Sequence, residues 1–372
     1  MRVLFVNEVC GTGSTGKITC GLAEKYEREG HEVRVAYGRS SFVPEKYKRF
    51  AVRIGSMKDV YIHGIMTRLT DRHGFYSGHA TRKFIAWAND YNPDILWLHN
   101  IHGYYVNIEM LFQWIKSQPQ MRVYWTLHDC WSFTGHCAYF TMAGCEKWKT
   151  HCHECPQRNS YPASLIDNSM RNYDDKRRIF TGVKDMTIIT PSEWLAGLVK
   201  QSFLGEYPVE VRHNTIDTEI FRPTPSDFRE KYNLMGKIIV LGVASIWEKR
   251  KGLEDFVRLS GMLDPEKFAV ILVGLTPEQS RQTRQQTGNI ITIPRTNSPQ
   301  DLAKIYTASD VFFLPSYEEN YPTVSLEAQA CGTPVIAYDS GGNSETLSDS
   351  RSRLVKAGDV EAVKEIVERW KP

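Results

Sequence analysis

Ten short apolar runs separated by stretches of helical periodicity leave few folds open to this sequence. In the front half they lie at Val3 to Val6, Val33 to Tyr37, Ile95 to Leu98, Val123 to Leu127 and Thr187 to Thr190. In the back half they lie at Ile238 to Val243, Ala269 to Val273, Ile290 to Ile293, Val311 to Leu314 and Pro334 to Ala337. Continuous apolar runs of this length suit strands covered on both faces, as in a parallel sheet. Their alternation with helices is the pattern of repeated βαβ units. A chain of 372 residues exceeds one ordinary core, since domains usually hold about 150 to 200 residues. The expectation is two α/β domains with doubly wound parallel sheets, 1–213 and 214–372, joined by the polar connector from His213 to Pro223.

Bulk properties narrow the function. Met1 leads directly into the apolar run Val3 to Val6 rather than into a secretory leader. No apolar run approaches the roughly 18 residues of a membrane span, so a cytoplasmic protein is expected. Residues 1–205 carry 26 Lys+Arg against 19 Asp+Glu, and the remainder carries 20 against 24. A basic half can favour anionic membrane surfaces, phosphorylated substrates or nucleic acid, and equally ordinary solvated faces. No helix-turn-helix or RNA-binding signature is present, so nucleic acid is not an expected partner.

The segment from Glu318 to Val335 says most about chemistry. It places Glu319 and Glu327 eight positions apart, around a polar turn and the start of a helix near Thr323. The turn follows the Val311 strand and would lie at the carboxyl edge of the sheet, where open α/β folds bind ligands. The helix start would offer N–H groups and a positive dipole end to a phosphate or diphosphate. The two carboxylates could then hold sugar and ribose hydroxyls.

Three further motifs fall at strand ends. Gly11-Thr12-Gly13-Ser14-Thr15-Gly16-Lys17 resembles a phosphate-binding P-loop, but Ile18 stands where a magnesium-binding Ser or Thr is required. A tight turn around Gly13 that offers backbone N–H groups is the remaining functional reading. Lys249, Arg250 and Lys251 follow the first strand of the back half and are placed to neutralise a diphosphate. His99, His102 and the pair His128-Asp129 follow two front-half strands. Of these, His128 is the best candidate to orient a hydroxyl or meet developing charge.

Residues 130–158 form a cysteine-rich loop in which Cys137, Cys145, Cys152 and Cys155 make a C-x7-C-x6-C-x2-C series. Four thiols in a reducing compartment can form a closed tetrahedral site, and structural zinc is the expectation, with an iron–sulfur cluster or free thiols as alternatives. Such a site leaves no open position for catalysis. Cys10, Cys20, Cys130 and Cys331 read as small apolar core residues.

Taken together, these motifs resemble the retaining GT-B glycosyltransferases of family four over nearly the whole chain. The carriers are the Gly-rich first turn, Pro191-Ser192-Glu193-Trp194, the Asn214 to Pro223 connector, Arg250-Lys251-Gly252, Asp301 to Asp310, the Glu319-x7-Glu327 motif with Ala330 to Val335, and Gly341-Gly342-Asn343-Ser344-Glu345. The segment from His128 to Cys137 is similar to that of bacterial enzymes building capsular polysaccharides or exopolysaccharides. The resemblance implies two Rossmann-like domains facing across a cleft that holds a nucleotide-diphospho-sugar. It implies that Arg250 and Lys251 bind the diphosphate, that Glu319, with Asn320 and Tyr321 in its turn, binds the donor sugar, that Thr323 and Val324 N–H groups meet phosphate, and that Glu327 holds the ribose. His128 would act from the first domain, and no catalytic cofactor or divalent metal is implied.

Two departures stand out. Ala244-Ser245-Ile246 occupies the region where the family carries an Arg, and Pro322 removes an N–H donor from the turn. The implied reaction retains anomeric configuration, with the donor phosphate taking the acceptor proton. The acceptor would be a glycan or a polyprenyl-diphosphate-linked sugar, met by Arg68, Asp71, Arg72, His73, Arg82 and Lys83 in peripheral contact with the inner membrane face. A sugar-nucleotide epimerase and a non-enzymatic sugar-nucleotide-binding protein remain alternatives.

Overall fold

The structure is a computed structural model that describes residues 1–370. The chain divides into two compact units, Met1–His213 and Asn214 onward.

In the first unit, β1 (Arg2–Val6), β2 (Glu32–Tyr37), β3 (Ala51–Arg53), β4 (Ile95–Leu98), β5 (Arg122–Thr126), β6 (Met186–Thr190) and β7 (Val209–Val211) form one sheet in the order β3-β2-β1-β4-β5-β6-β7. Every pairing is parallel, with Val3 opposite both Val33 and Ile95. The chain winds one way from β1 to β3 and the other way from β4 onward. The point of reversal therefore lies between β1 and β4, and ligand crevices form at such points beyond the carboxyl ends of the strands.

The second unit repeats this order. Its strands β8 (Ile238–Val243), β9 (Phe268–Val273), β10 (Ile290–Ile293), β11 (Val311–Leu314), β12 (Val335–Tyr338) and β13 (Arg353–Val355) run β10-β9-β8-β11-β12-β13, all parallel. Alternate residues point to opposite faces of a strand. Ile239, Leu241, Ile271, Phe312, Leu314 and Ala337 therefore enter one apolar layer, while Val240, Val270, Leu272, Phe313, Ile336 and Tyr338 enter the other. Two covered faces explain why these strands read as unbroken apolar runs. The reversal point here lies between β8 and β11.

Sequence periodicity misses β3, β7 and β13. Each is three residues long and each sits at a sheet edge. An edge strand with one exposed flank needs no continuous apolar run, so Ala-Val-Arg, Val-Glu-Val and Arg-Leu-Val carry little signal. Among the described residues no helix is long and apolar enough to cross a membrane.

Candidate functional site

In the second unit, the segments that follow β8 and β11 meet at the reversal point. After β8 the chain makes a single 3-10 turn, Lys249–Lys251, closed by Gly252. Gly252 has φ +69°, and a Cβ there would lie 2.3 Å from the Pro315 carbonyl oxygen. Only glycine combines that dihedral with so close an approach. The Arg250 carbonyl accepts from the Tyr317 N–H at 2.8 Å, which joins the two segments through backbone.

The side chains converge on one carboxylate. Lys251 Nζ donates to Glu319 Oε1. Arg250 Nη1 lies 3.6 Å from the same oxygen and donates to the Glu318 carbonyl at 3.0 Å. The Ser316 hydroxyl donates to Glu319 Oε1 at 3.3 Å. The Glu319 side chain is 9% exposed, while Arg250 and Lys251 keep 18% and 20%. Burial and the adjacent Arg250 guanidinium pull the Lys251 ammonium well below its usual pKa, and Glu248 opposes them. Contact with the Glu319 carboxylate favours the charged form of Lys251.

The backbone of Glu319 is gripped from behind. Its carbonyl accepts from Gly342 N–H at 3.0 Å, and Gly341, at φ +56°, passes so near that a Cβ would lie 1.9 Å from that oxygen. Asn343, fully buried, donates to the carbonyls of Tyr338 at 3.0 Å and Ser316 at 3.3 Å.

Asn320 is buried and Tyr321 half-buried in the turn, and the Asn214 side chain donates to the Tyr321 carbonyl at 3.3 Å. Thr323 and Val324, both half-buried, open the Thr323–Ala330 helix. Its N-cap, Pro322, supplies no capping side chain, and Ser325 N–H donates to the Pro322 carbonyl at 3.2 Å, so the N–H groups of Thr323 and Val324 are the ones offered to an anion. Glu327, on the same helix, accepts at 3.2 Å from the hydroxyl of Tyr306, which lies on the Pro299–Ala308 helix. A carboxylate flanked by two cations, next to an uncapped helix start, can recognise a hydroxyl-bearing group joined to a phosphate.

The first unit gathers a second set of groups at the carboxyl ends of its strands. Gly13, at φ +64°, begins the Gly13–Arg28 helix, whose N-cap Thr12 makes no side-chain cap and whose first turn holds no acid. His99 Nδ1 and His128 Nε2 lie 3.0 Å apart, so one ring donates and the other accepts. Burial, with the nearby His102, lowers the His128 pKa to about 4 against the opposing pull of Asp129, which leaves a neutral imidazole at neutral pH. Asp129 instead pairs with His102 at 2.9 Å and accepts from the Trp131 N–H at 2.9 Å. Burial disfavours the charged form of His102, but the Asp129 carboxylate outweighs it and raises the pKa.

Two sequence expectations need correction. The stretch from Arg68 to Lys83 is not one basic surface. Asp71, at φ +55°, ends the Met57–Thr70 helix and turns inward to pair with His136, and His73 is also buried. Arg72 is held by Asp175 at 2.7 Å. Arg68, Arg82 and Lys83 remain exposed.

Structural zinc is not supported. Cys137, Cys145, Cys152 and Cys155 line one cavity together with His136 and His153. Among the described residues, however, no group of three or more His, Cys, Asp or Glu side chains is arranged to hold an ion. The Cys137 and Cys155 thiols hydrogen-bond to each other, and Cys152 Sγ accepts from the Gly135 N–H at 3.2 Å. The loop also has a core of its own. Phe133, Phe140 and Trp148 are buried, with ring centroids 4.9 Å apart for Phe140–Trp148 and 5.4 Å for Phe133–Trp148.

Sequence reasoning also missed Ser316, Tyr306 and the role of Asn343 behind the turn. Asn343 lies in the Gly-Gly-Asn-Ser-Glu segment and Tyr306 in the Asp301 to Asp310 segment, both of which offered a signal; nothing singled out Ser316.

The description "Glycosyltransferase Family 4" matches residues 16–220, more than half of the chain, and "Glycosyl transferases group 1" matches residues 226–371. The chain is 26% identical to the putative colanic acid biosynthesis glycosyl transferase WcaC of Escherichia coli K12, covering 100% of this chain and 91% of WcaC. It is 29% identical to a D-inositol 3-phosphate glycosyltransferase of Paenarthrobacter aurescens, over 50% of this chain and 48% of that protein. Among solved structures, sucrose-phosphate synthase from Thermosynechococcus elongatus aligns with TM-score 0.69 at 16% identity, covering 99% of this chain and 89% of that one. Anabaena HepE in complex with UDP-glucose aligns with TM-score 0.66 at 15% identity, with the same two coverages. WaaG, a glycosyltransferase involved in lipopolysaccharide biosynthesis, gives TM-score 0.66 at 15% identity over 99% of this chain and 90% of its own.

Proposed function

The chain belongs to glycosyltransferase family 4 and has the α/β GT-B fold, and from that premise we propose that it transfers a hexose from a nucleotide-diphospho-sugar to a glycan or lipid-linked acceptor in surface polysaccharide synthesis. The observation that carries the proposal is the convergence of Arg250 and Lys251 on Glu319, beside the uncapped start of the Thr323–Ala330 helix. The likeness to WcaC and the UDP-glucose complex of HepE support the process and the donor class.

In this reading the diphosphate enters against the helix start and draws Lys251 and Arg250 toward itself. Glu319, released from part of its ion pairing, accepts hydrogen bonds from sugar hydroxyls, and Glu327 receives the ribose. Cations at a departing diphosphate lower the barrier where negative charge develops, without a divalent metal. His128, neutral at physiological pH, is in this reading the hydrogen-bonding group that the first unit contributes to the reaction. Transfer proceeds with retention, the departing phosphate taking the acceptor proton on the same face. The second unit is the donor domain and the first carries the acceptor, at a peripheral position on the cytoplasmic membrane face.

The test begins with a thermal-shift screen of nucleotide-diphospho-sugars, since a bound donor stabilises by mass action. The stabilising donor is then incubated with candidate acceptors, and NMR follows the anomeric configuration of the product. Inversion refutes the retaining assignment. Epimerised donor formed without an acceptor refutes transfer.

A further inference from the structure

The Met57–Thr70 helix buries one side, at Val60, His63 and Thr67. Its opposite side is apolar and faces solvent. Tyr61 is 67% exposed, Ile62 and Ile65 are each 60%, and Leu69 is 49%. With the exposed Lys58 and Arg68, these fall at spacings of 3, 4, 7, 10 and 11 from residue 58, which is a single helical stripe. Exposed apolar side chains scattered singly are ordinary, but a row along one helix face marks an interaction surface. The row also continues past the helix. Leu165 N–H donates to the Arg68 carbonyl at 2.8 Å, which sets Leu165 and Ile166, 57% and 45% exposed, beside Leu69.

Charge selects the occupant. The stripe holds two cations and no carboxylate. The acids that flank it are engaged: Asp59 accepts from the Ser56 N–H and hydroxyl, at 2.8 and 2.7 Å, Asp71 is buried against His136 and accepts from the Asn168 N–H at 2.8 Å, and Asp167 accepts from the N–H groups of Cys155 and Ser169, at 2.6 and 2.8 Å. A second copy laid on this face would set cation against cation. A surface of apolar chains under anionic headgroups would satisfy both parts of the stripe, because aliphatic and aromatic groups enter the acyl boundary while Lys and Arg reach phosphates.

We propose that the stripe Lys58, Tyr61, Ile62, Ile65, Arg68 and Leu69, extended by Leu165 and Ile166, docks on an anionic lipid bilayer. This deepens the peripheral position in the functional reading by naming its surface, and it rests on that reading only for its purpose. Docking needs neither donor nor transfer, so its failure is distinguishable from failure of the transferase assignment.

The experiment is co-sedimentation of the full chain with phosphatidylcholine vesicles, with and without about one-third phosphatidylglycerol. Binding to the anionic vesicles alone, weakened by salt, is expected. The variant Ile62→Ser/Ile65→Ser/Leu69→Ser should lose about tenfold in partitioning, and Lys58→Gln/Arg68→Gln a comparable amount. Because all five positions are exposed, thermal melting should leave both variants within a few degrees of the parent. Absence of binding to anionic vesicles, or unchanged binding by the folded triple variant, overturns the proposal. A dimer seen by size-exclusion chromatography and abolished by the triple variant assigns the face to a second copy and overturns it as well.

Discussion

Replacing Lys251 with methionine removes one charge from the Glu319 turn while keeping most of the side-chain volume. Breaking a fully buried ion pair costs about 3–5 kcal/mol, because the surviving charge stays uncompensated. Here the cost is smaller. Lys251 keeps 20% of its side chain in solvent, Arg250 Nη1 remains 3.6 Å from the same oxygen, and the Ser316 hydroxyl remains at 3.3 Å. A loss of about 2 kcal/mol is therefore expected, or about 4–8 °C in Tm for a unit of this size. Glu319→Gln in the same background removes the uncompensated carboxylate and should recover most of that stability. The chemical effect has no such remedy. Loss of one preorganised positive donor at a departing phosphate costs about 100- to 1000-fold in kcat. The assay pairs thermal melting with release of the nucleoside diphosphate during sugar transfer, for the parent, each single variant and the double. If the double variant regains activity along with stability, the pair is structural and the argument for Lys251 at the diphosphate fails. The argument fails equally if Lys251→Met keeps parental kcat.

Two further outcomes are expected. Burial holds His63 at about 3 and His128 at about 4, and it drives His73 and His99 well below the usual histidine value. Between the unfolded value of about 6.5 and those folded values, the unfolded chain binds more protons. The stability that neutral histidines permit is thus present above pH 6.5 and declines as pH falls toward 4, partly offset by His102, whose raised pKa acts in the other direction. Urea midpoints for the isolated transition of the first unit should fall across that range, and a flat profile would refute the assignment of these rings as buried and neutral. Trp148→Ala should cost about 3–5 kcal/mol by opening a cavity against Phe133 and Phe140, and a near-parental Tm would show that the loop is held by something other than this aromatic core.

The legibility of the chain followed burial. Val311 to Leu314 and Ile238 to Val243 announced themselves because both faces of each strand are covered, and alternation then put the cations after β8 and the carboxylate after β11 on one sheet edge. The contact of Lys251 with Glu319, across 68 positions of sequence, was not readable, since it depends on how closely the two turns approach. That approach is set by Gly252 and Gly341, whose backbone angles no periodicity records. Asp71 and His73 were misread for a related reason. Between Arg68 and Arg82 they look solvent-exposed, and only a distant partner, His136, draws Asp71 inward. In the cysteine loop the thiols drew the inference, although Phe133, Phe140 and Trp148 stood in the same segment with the means to pack it.

The way the Glu319 turn is fastened has a consequence for how such a site changes over generations. Its shape is carried by main chain: Gly252 against the Pro315 carbonyl, Tyr317 N–H to Arg250, Gly342 N–H to Glu319, and Gly341 against the same oxygen. Side chains at 320 and 321, which take no part in the Lys251–Glu319 ion pair, can be exchanged while that frame stays in place. Diversification of what the turn grips is thereby separated from the risk of unfolding, and a library varied at those two positions, with the glycines, Ser316 and Glu319 untouched, is where altered selectivity should be sought.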